Sequence, residues 1–154
     1  MKITRFVFGV ILATLVLTGV PAFAEQTADD AVVDPGPTLY ERLGGGEGVQ
    51  KIIDHTISLH LENPTIKHRM EGVDLDYLAA SVAAFLSAGT GGPNNYTGPD
   101  MATAHAGMML SNEEFDAAVA DVLAAVMGNV DDGQAEHDEV QAILLSFRDQ
   151  VVGK

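Results

Sequence analysis

Apolar residues recur at helical spacing along most of this chain. Val49, Ile52, Ile53, Ile57, His60 and Leu61 share one helical face. Asn63-Pro64 closes that helix, because proline disfavours helical backbone at the residue before it. Leu75, Leu78, Val82, Phe85 and Leu86 form a second stripe, with Asp74 placed to cap its start. A Gly/Pro/Asn-rich loop follows, from Gly89 to Asp100. Met101 to Met109 reads as a short helix or turn carrying His105. Ser111 and Glu114 have the spacing of a capping box. They open a helix with Phe115, Val119, Val122, Leu123 and Val126 inward, ending near Gly128. After an acidic loop holding Gly133, the stripe Val140, Ile143, Leu144, Phe147 and Val151 predicts one last helix.

No alternation of useful length predicts a strand, and no internal repeat is visible. The predicted class is all-α, with four longer helices and one short one. Glycine runs at 44–46 and 91–92 mark chain reversals.

The first residues follow a different logic. Lys2 and Arg5 precede an apolar run from Phe6 to Val20, and Ala22-Phe23-Ala24 has the form of a cleavage site. Residues 1–24 therefore read as a secretory signal peptide. The run is shorter than the roughly 20 apolar residues of a membrane span. The expectation is an exported protein, periplasmic or secreted, without stable membrane insertion after cleavage. Residues 25–37 are acidic and poor in apolar side chains, which predicts a flexible leader. Residues 38–154 are the expected folded domain.

Charge and cysteine content narrow the partners. The chain carries 8 basic and 22 acidic residues, a formal net charge of −14. Loss of Lys2 and Arg5 with the signal peptide leaves 6 basic residues and a net charge of −16. Such a surface argues against nucleic acid and anionic membranes and is compatible with a basic partner, a salty medium or simple solubility. There is no cysteine. Disulfides, thiolate chemistry, Fe–S clusters and covalent c-type haem attachment are therefore excluded.

Candidate chemistry converges on His105. A neutral imidazole in a short apolar stretch after a loop is suited to bind a haem iron from one side. Capping, packing or a plain surface role would account equally for a histidine considered alone. No Ser/His/Asp set, phosphate loop or HExxH pair is present, and no catalytic residue is assigned. His55 and His60 lie about 140° apart around a helix and do not form a metal pair. His60 falls near the apolar stripe, where a buried, hydrogen-bonded role is expected. His68 and His137 have polar neighbours and are expected in solvent.

The ordered motifs resemble those of the truncated haemoglobins. Leu39-Tyr40-Glu41-Arg42-Leu43-Gly44-Gly45 looks like the opening signature of that family. Asn63-Pro64 with Glu71-Gly72-Val73-Asp74 is similar to the stretch before its distal helix. Ala84-Phe85-Leu86-Ser87, Gly91-Gly92-Pro93, Tyr96-Thr97-Gly98, Asp100-Met101 and Ala104-His105-Ala106-Gly107 resemble the approach to its proximal histidine. Phe115-Asp116-Ala117 follows at the usual spacing. The resemblance is closest to group I and covers residues 38–151.

This resemblance implies a two-over-two helical sandwich around a non-covalent haem b. His105 would be the proximal iron ligand. Phe85, Leu86, Tyr96 and Met101 would surround the porphyrin, with Phe115, Val119 and Leu144 closing the pocket. Met70, Leu78 and Val82 would complete the haem contacts. Arg69, Lys67 and Tyr96 are the candidates for anchoring the propionates.

The distal side departs from the family. Where its members commonly carry tyrosine, phenylalanine and polar residues, this chain has Ile57, Met70, Leu78 and Val82. Thr56 and Arg69 replace aromatic residues, and Ser81 stands where some relatives carry a histidine. Thr56 is the nearest hydroxyl able to substitute for the missing donor. Such a pocket weakens O₂ retention relative to CO and NO, which disfavours NO-dioxygenase and peroxidase-like activity. The expected function is reversible binding of a diatomic gas. The alternatives are an electron-transfer protein with a redox partner and Met70 as sixth ligand, and a haem-free interaction module.

Overall fold

A computed structural model describes residues 35–154. The expected signal peptide, and the leader up to residue 34, lie outside the described residues. The helices are α1 (Leu39–Arg42), α2 (Gly45–Glu62), α3 (Leu75–Gly89), α4 (Met101–Ala104), α5 (Asn112–Asn129), α6 (Gln134–Leu145) and α7 (Arg148–Val151). A 3₁₀ turn spans Lys67–Met70. Among the described residues the only β-type pairing is an isolated bridge between Leu110 and Val152.

Helix α2 packs against both α3 and α5, and α5 packs against α6. The α2–α3 pair is thereby layered over the α5–α6 pair. Val49, Ile52 and Ile53 of α2 are fully buried against Leu123, Val126 and Val140. Each large apolar residue fully buried contributes about 1.5–3 kcal/mol to the assembly of the layers. Among the described residues no helix is long and apolar enough to cross a membrane.

Most helix ends lie where the sequence places them. Asn63 caps α2 in extended backbone, as the following proline requires. The Asp74 carboxylate accepts from the Tyr77 N–H at 3.0 Å. Ser111 and Glu114 cap α5 reciprocally, at 3.1 and 2.8 Å.

The last stripe is not one helix. It breaks after Leu145, and Phe147 precedes the separate turn of α7. The break lets the chain end return to the loop before α5. There the Met109 N–H donates to the Lys154 carbonyl (2.6 Å) and the Gly153 N–H to the Leu110 carbonyl (2.9 Å).

Helix α1 and the 3₁₀ turn were not expected. Helix α1 is a single turn with its own capping box, Thr38 with Glu41. Arg42 fastens it to α6 through Glu136 (2.7 Å) and Glu139 (2.6 Å). Gly48 allows α2 to start hard against this turn. A Cβ there would lie 1.9 Å from the Leu43 carbonyl oxygen.

Candidate functional site: an apolar cavity with two histidines in its wall

A cavity of about 370 Å³ opens between the two helical layers. It falls in the size range of small-molecule and cofactor clefts, roughly 300–1,000 Å³. Helix α2 contributes Ile53, Thr56, Ile57 and His60. Leu78 and Val82 come from α3, and Phe115, Ala118, Val119 and Val122 from α5. Met70, Met101, His105 and Leu144 complete much of the wall. A second apolar cavity of about 100 Å³ lies beside it, lined in part by Phe85 and Leu86. Val82, Met101, Val122 and Leu144 border both.

His105 is fixed by the turn that precedes it. The Asp100 side chain caps α4 by accepting from the Thr103 N–H at 2.8 Å. That backbone hydrogen bond holds the Asp100 carboxyl below its ordinary range. His105 caps the other end of the turn, outside the helix. Its Nδ1 donates to the Met101 carbonyl oxygen at 2.9 Å, which leaves Nε2 as the nitrogen with a free lone pair. Gly107 then turns the chain away at φ +81°.

The structure thus brings His105 together with Thr56, Ile57, Met70, Leu78, Val82, Met101, Phe115, Val119 and Leu144 in one cavity. Phe85 and Leu86 border the neighbouring one. Three expected residues line neither: Tyr96, Ser81 and the exposed anchor candidate Lys67. Tyr96 stands behind Phe85, ring centroids 5.3 Å apart and edge-on, and its hydroxyl donates to the Pro99 carbonyl at 2.6 Å. Ser81 is half-buried on α3 but off the cavity wall.

The expected hydroxyl donor is also committed elsewhere. The Thr56 hydroxyl donates to the Ile52 carbonyl at 2.8 Å, one turn back in its own helix. Arg69 reaches the wall but is held by a carboxylate. Its Nε and Nη2 donate to the two oxygens of Glu114 at 2.6 and 3.0 Å, and its Nη1 to the Met108 carbonyl at 3.0 Å. Arg69 is therefore not a free anchor for an anionic group.

Of the other histidines, His60 is half-buried and bonded to Asp121, close to what its place near the stripe predicts. His68 is exposed and reaches Glu114 at 3.1 Å. His137 is half-buried, not solvated, and contacts Asp138 at 2.9 Å.

The sequence pattern offers Glu114 only as a cap and Phe147 only as part of the last stripe, and it passes over Asp121. Asp121 had a signal, being the one charge in the run Ala117 to Met127. Glu114 was legible as a cap, but not as the partner of a residue 45 positions away.

The profile of the bacterial-like globins matches residues 38–152. A group 1 truncated haemoglobin of Tetrahymena pyriformis is 32% identical over 117 residues, which cover 76% of this chain and 96% of that one. One from Synechocystis sp. is 37% identical over 105 residues, covering 64% and 85%. The crystal structure of the Tetrahymena pyriformis truncated haemoglobin in its Fe(III) form superposes with a TM-score of 0.71 at 30% identity, covering 77% of this chain and all of that one. The chain therefore belongs to the bacterial-like globins, and within them to the group 1 truncated haemoglobins.

Proposed function

We propose that this globin binds haem b non-covalently in the larger cavity, where His105 would hold the iron, and that it binds a diatomic gas reversibly there. The observation that carries the reading is the tethered imidazole of His105 in the wall of an otherwise largely apolar cavity. The wall fits the group: Met70, Met101, Phe115, Val119 and Leu144 suit the flat hydrocarbon face of a porphyrin. The absence of cysteine is consistent with non-covalent retention.

Ferrous haem supplies the chemistry of gas binding. The residues decide what is held and for how long. The Met101 carbonyl orients the His105 ring and fixes the proton on Nδ1. Ile57, Leu78 and Val82 exclude water and offer no hydrogen bond to a bound gas. The export proposal rests on residues 1–24, with a mature protein beginning at Glu25, and places the globin in a periplasmic or secreted setting. The acidic surface suits a basic redox partner that would keep the iron ferrous.

The test is the visible spectrum of the chain from Glu25 to Lys154 with haemin, before and after dithionite, with and without CO. A Soret band that shifts with CO and is lost in His105→Ala supports the reading. A spectrum of free haemin overturns it. A low-spin six-coordinate ferrous spectrum, abolished by Met70→Leu, would transfer the protein to the electron-transfer class.

A further inference from the structure

We propose that His60 and Asp121 form a proton-accepting pair in the cavity wall, serving ligands that enter as small neutral weak acids, H–X. His60 Nδ1 lies 2.8 Å from Asp121 Oδ2, and the two side chains are only 17% and 14% exposed. Asn63 Nδ2 donates to both Asp121 oxygens at 3.1 Å and fixes the carboxylate. An ionised carboxylate only accepts, so the proton of the neutral imidazole sits on Nδ1. Nε2 then carries the lone pair. It has no hydrogen-bond partner among the described residues, and the His60 ring lines the cavity.

A buried carboxylate on Nδ1 does two things for an imidazole. It holds the ring in one tautomer and stabilises the cation formed when Nε2 takes a proton. The rest of the wall offers no competing base. Arg69 and Glu114 are paired with each other, and His105 is the residue proposed to hold the iron. Helices α3, α6 and α7 contribute only apolar side chains, among them Leu78, Leu144 and Val151.

In the proposed step the H–X bond breaks. Its proton binds His60 Nε2, and X⁻ keeps the bonding pair and stays in the cavity. The His60–Asp121 pair changes from a charge of −1 to zero as X⁻ forms, so the cavity gains no net charge. The proton returns to X⁻ when the ligand leaves, and nothing is oxidised or reduced. The proposal rests on the haem reading above, because the iron is what retains X⁻. Hydrogen sulfide and hydrogen cyanide are ligands of this class, whereas O₂, CO and NO bring no proton.

The test uses the haemin-loaded protein and cyanide at neutral pH, where the probe is mainly HCN. Association is followed at the Soret band in the parent protein, in His60→Gln and in Asp121→Asn. CO association with the ferrous forms is the control. Glutamine keeps a donor for Asp121 but has no basic nitrogen. Cyanide association is expected to slow on the order of 10²-fold in His60→Gln, the usual scale of a lost general base, with CO unchanged. Asp121→Asn should lie between. An unchanged cyanide rate, or an equal slowing of CO, overturns the proposal while leaving the haem reading intact. Absence of a Soret band in the parent protein overturns the haem reading and this step with it. Should His60→Gln not take up haemin, Asp121→Asn decides: selective slowing of cyanide supports the pair, and unchanged rates overturn it.

Discussion

Arg69 and Glu114, 45 residues apart, meet in a two-pronged ion pair at the cavity wall, Nε to Oε1 at 2.6 Å and Nη2 to Oε2 at 3.0 Å. The same carboxylate accepts the Ser111 N–H at 2.8 Å, and His68 approaches it at 3.1 Å. One side chain thus caps α5 and ties it to the 3₁₀ turn on the opposite layer. The Arg69 guanidinium, seconded by the Ser111 backbone N–H, holds the Glu114 carboxyl down to about 2.

That depression sets a pH dependence. A carboxylate with a lowered folded value contributes its stability above its unfolded value, about 4.3. The contribution is lost as pH falls towards the folded value. The stability gap between the parent protein and Glu114→Gln should be full at pH 6, shrink below about pH 4.5 and close near pH 2. Urea unfolding at a series of pH values measures it, and a gap that does not change with pH would contradict the assignment.

Asp121 carries a different load. Its carboxylate accepts from both His60 and Asn63 in a largely buried position. Asp121→Ala leaves both without their partner, at an expected cost of about 1–3 kcal/mol for each group left unsatisfied. Among the described residues the Asp54 carboxylate accepts only from exposed Gln50 at 2.8 Å, and Asp54→Ala should change stability by no more than about 0.5 kcal/mol. Equal losses in the two variants would show that the Asp121 cluster is not specially stabilising.

Glycine positions separate along the same lines. A Cβ at Gly48 would sit 1.9 Å from the Leu43 carbonyl oxygen, so α1 and α2 would have to move apart. Gly48→Ala should cost at least about 1–3 kcal/mol, as overpacking does. Gly89 ends α3 with nothing within 4 Å of an added Cβ. Gly89→Ala should stabilise by about 0.4–1 kcal/mol through the unfolded chain. Thermal unfolding of the two variants should therefore move in opposite directions.

What was readable in the sequence follows the range of each interaction. The stripes of α2, α3 and α5, the Asp74 and Ser111 caps and the stop at Asn63 are set within about four residues, so a linear reading reaches them. The break at Ser146-Phe147 is set by the pairing of the chain end with Met109 and Leu110, which no local pattern announces. The same holds for the site. His105 and its apolar companions follow from motif order. Tyr96 lies outside both cavities, its ring edge-on to Phe85, a relation between residues 11 positions apart that no local pattern announces. The engagement of Arg69 by Glu114 spans 45 residues and has no local signal, whereas that of Thr56 by Ile52 is local and lay within reach of a linear reading.

The absence of a hydrogen-bond donor over the proposed ligand site gives the last prediction. Ile57 lines the cavity on α2, the Thr56 hydroxyl proton is committed to Ile52, and neutral His60 presents a lone pair rather than a hydrogen. Bound O₂ carries partial negative charge, and a hydrogen bond to such a group is worth about 1–3 kcal/mol. Ile57→Tyr supplies the missing hydroxyl from the same helical position. At about 1.4 kcal/mol per tenfold, O₂ release from the ferrous haem-loaded variant should slow roughly 5- to 150-fold. CO is far less polar when bound, so its release should change much less. Stopped-flow displacement of O₂ by CO measures the first rate, and displacement of CO by NO the second. Unchanged O₂ release, with the variant folded and haem-loaded, would mean that position 57 does not face the bound gas. Equal slowing of both gases would mean that the larger side chain only obstructs the exit.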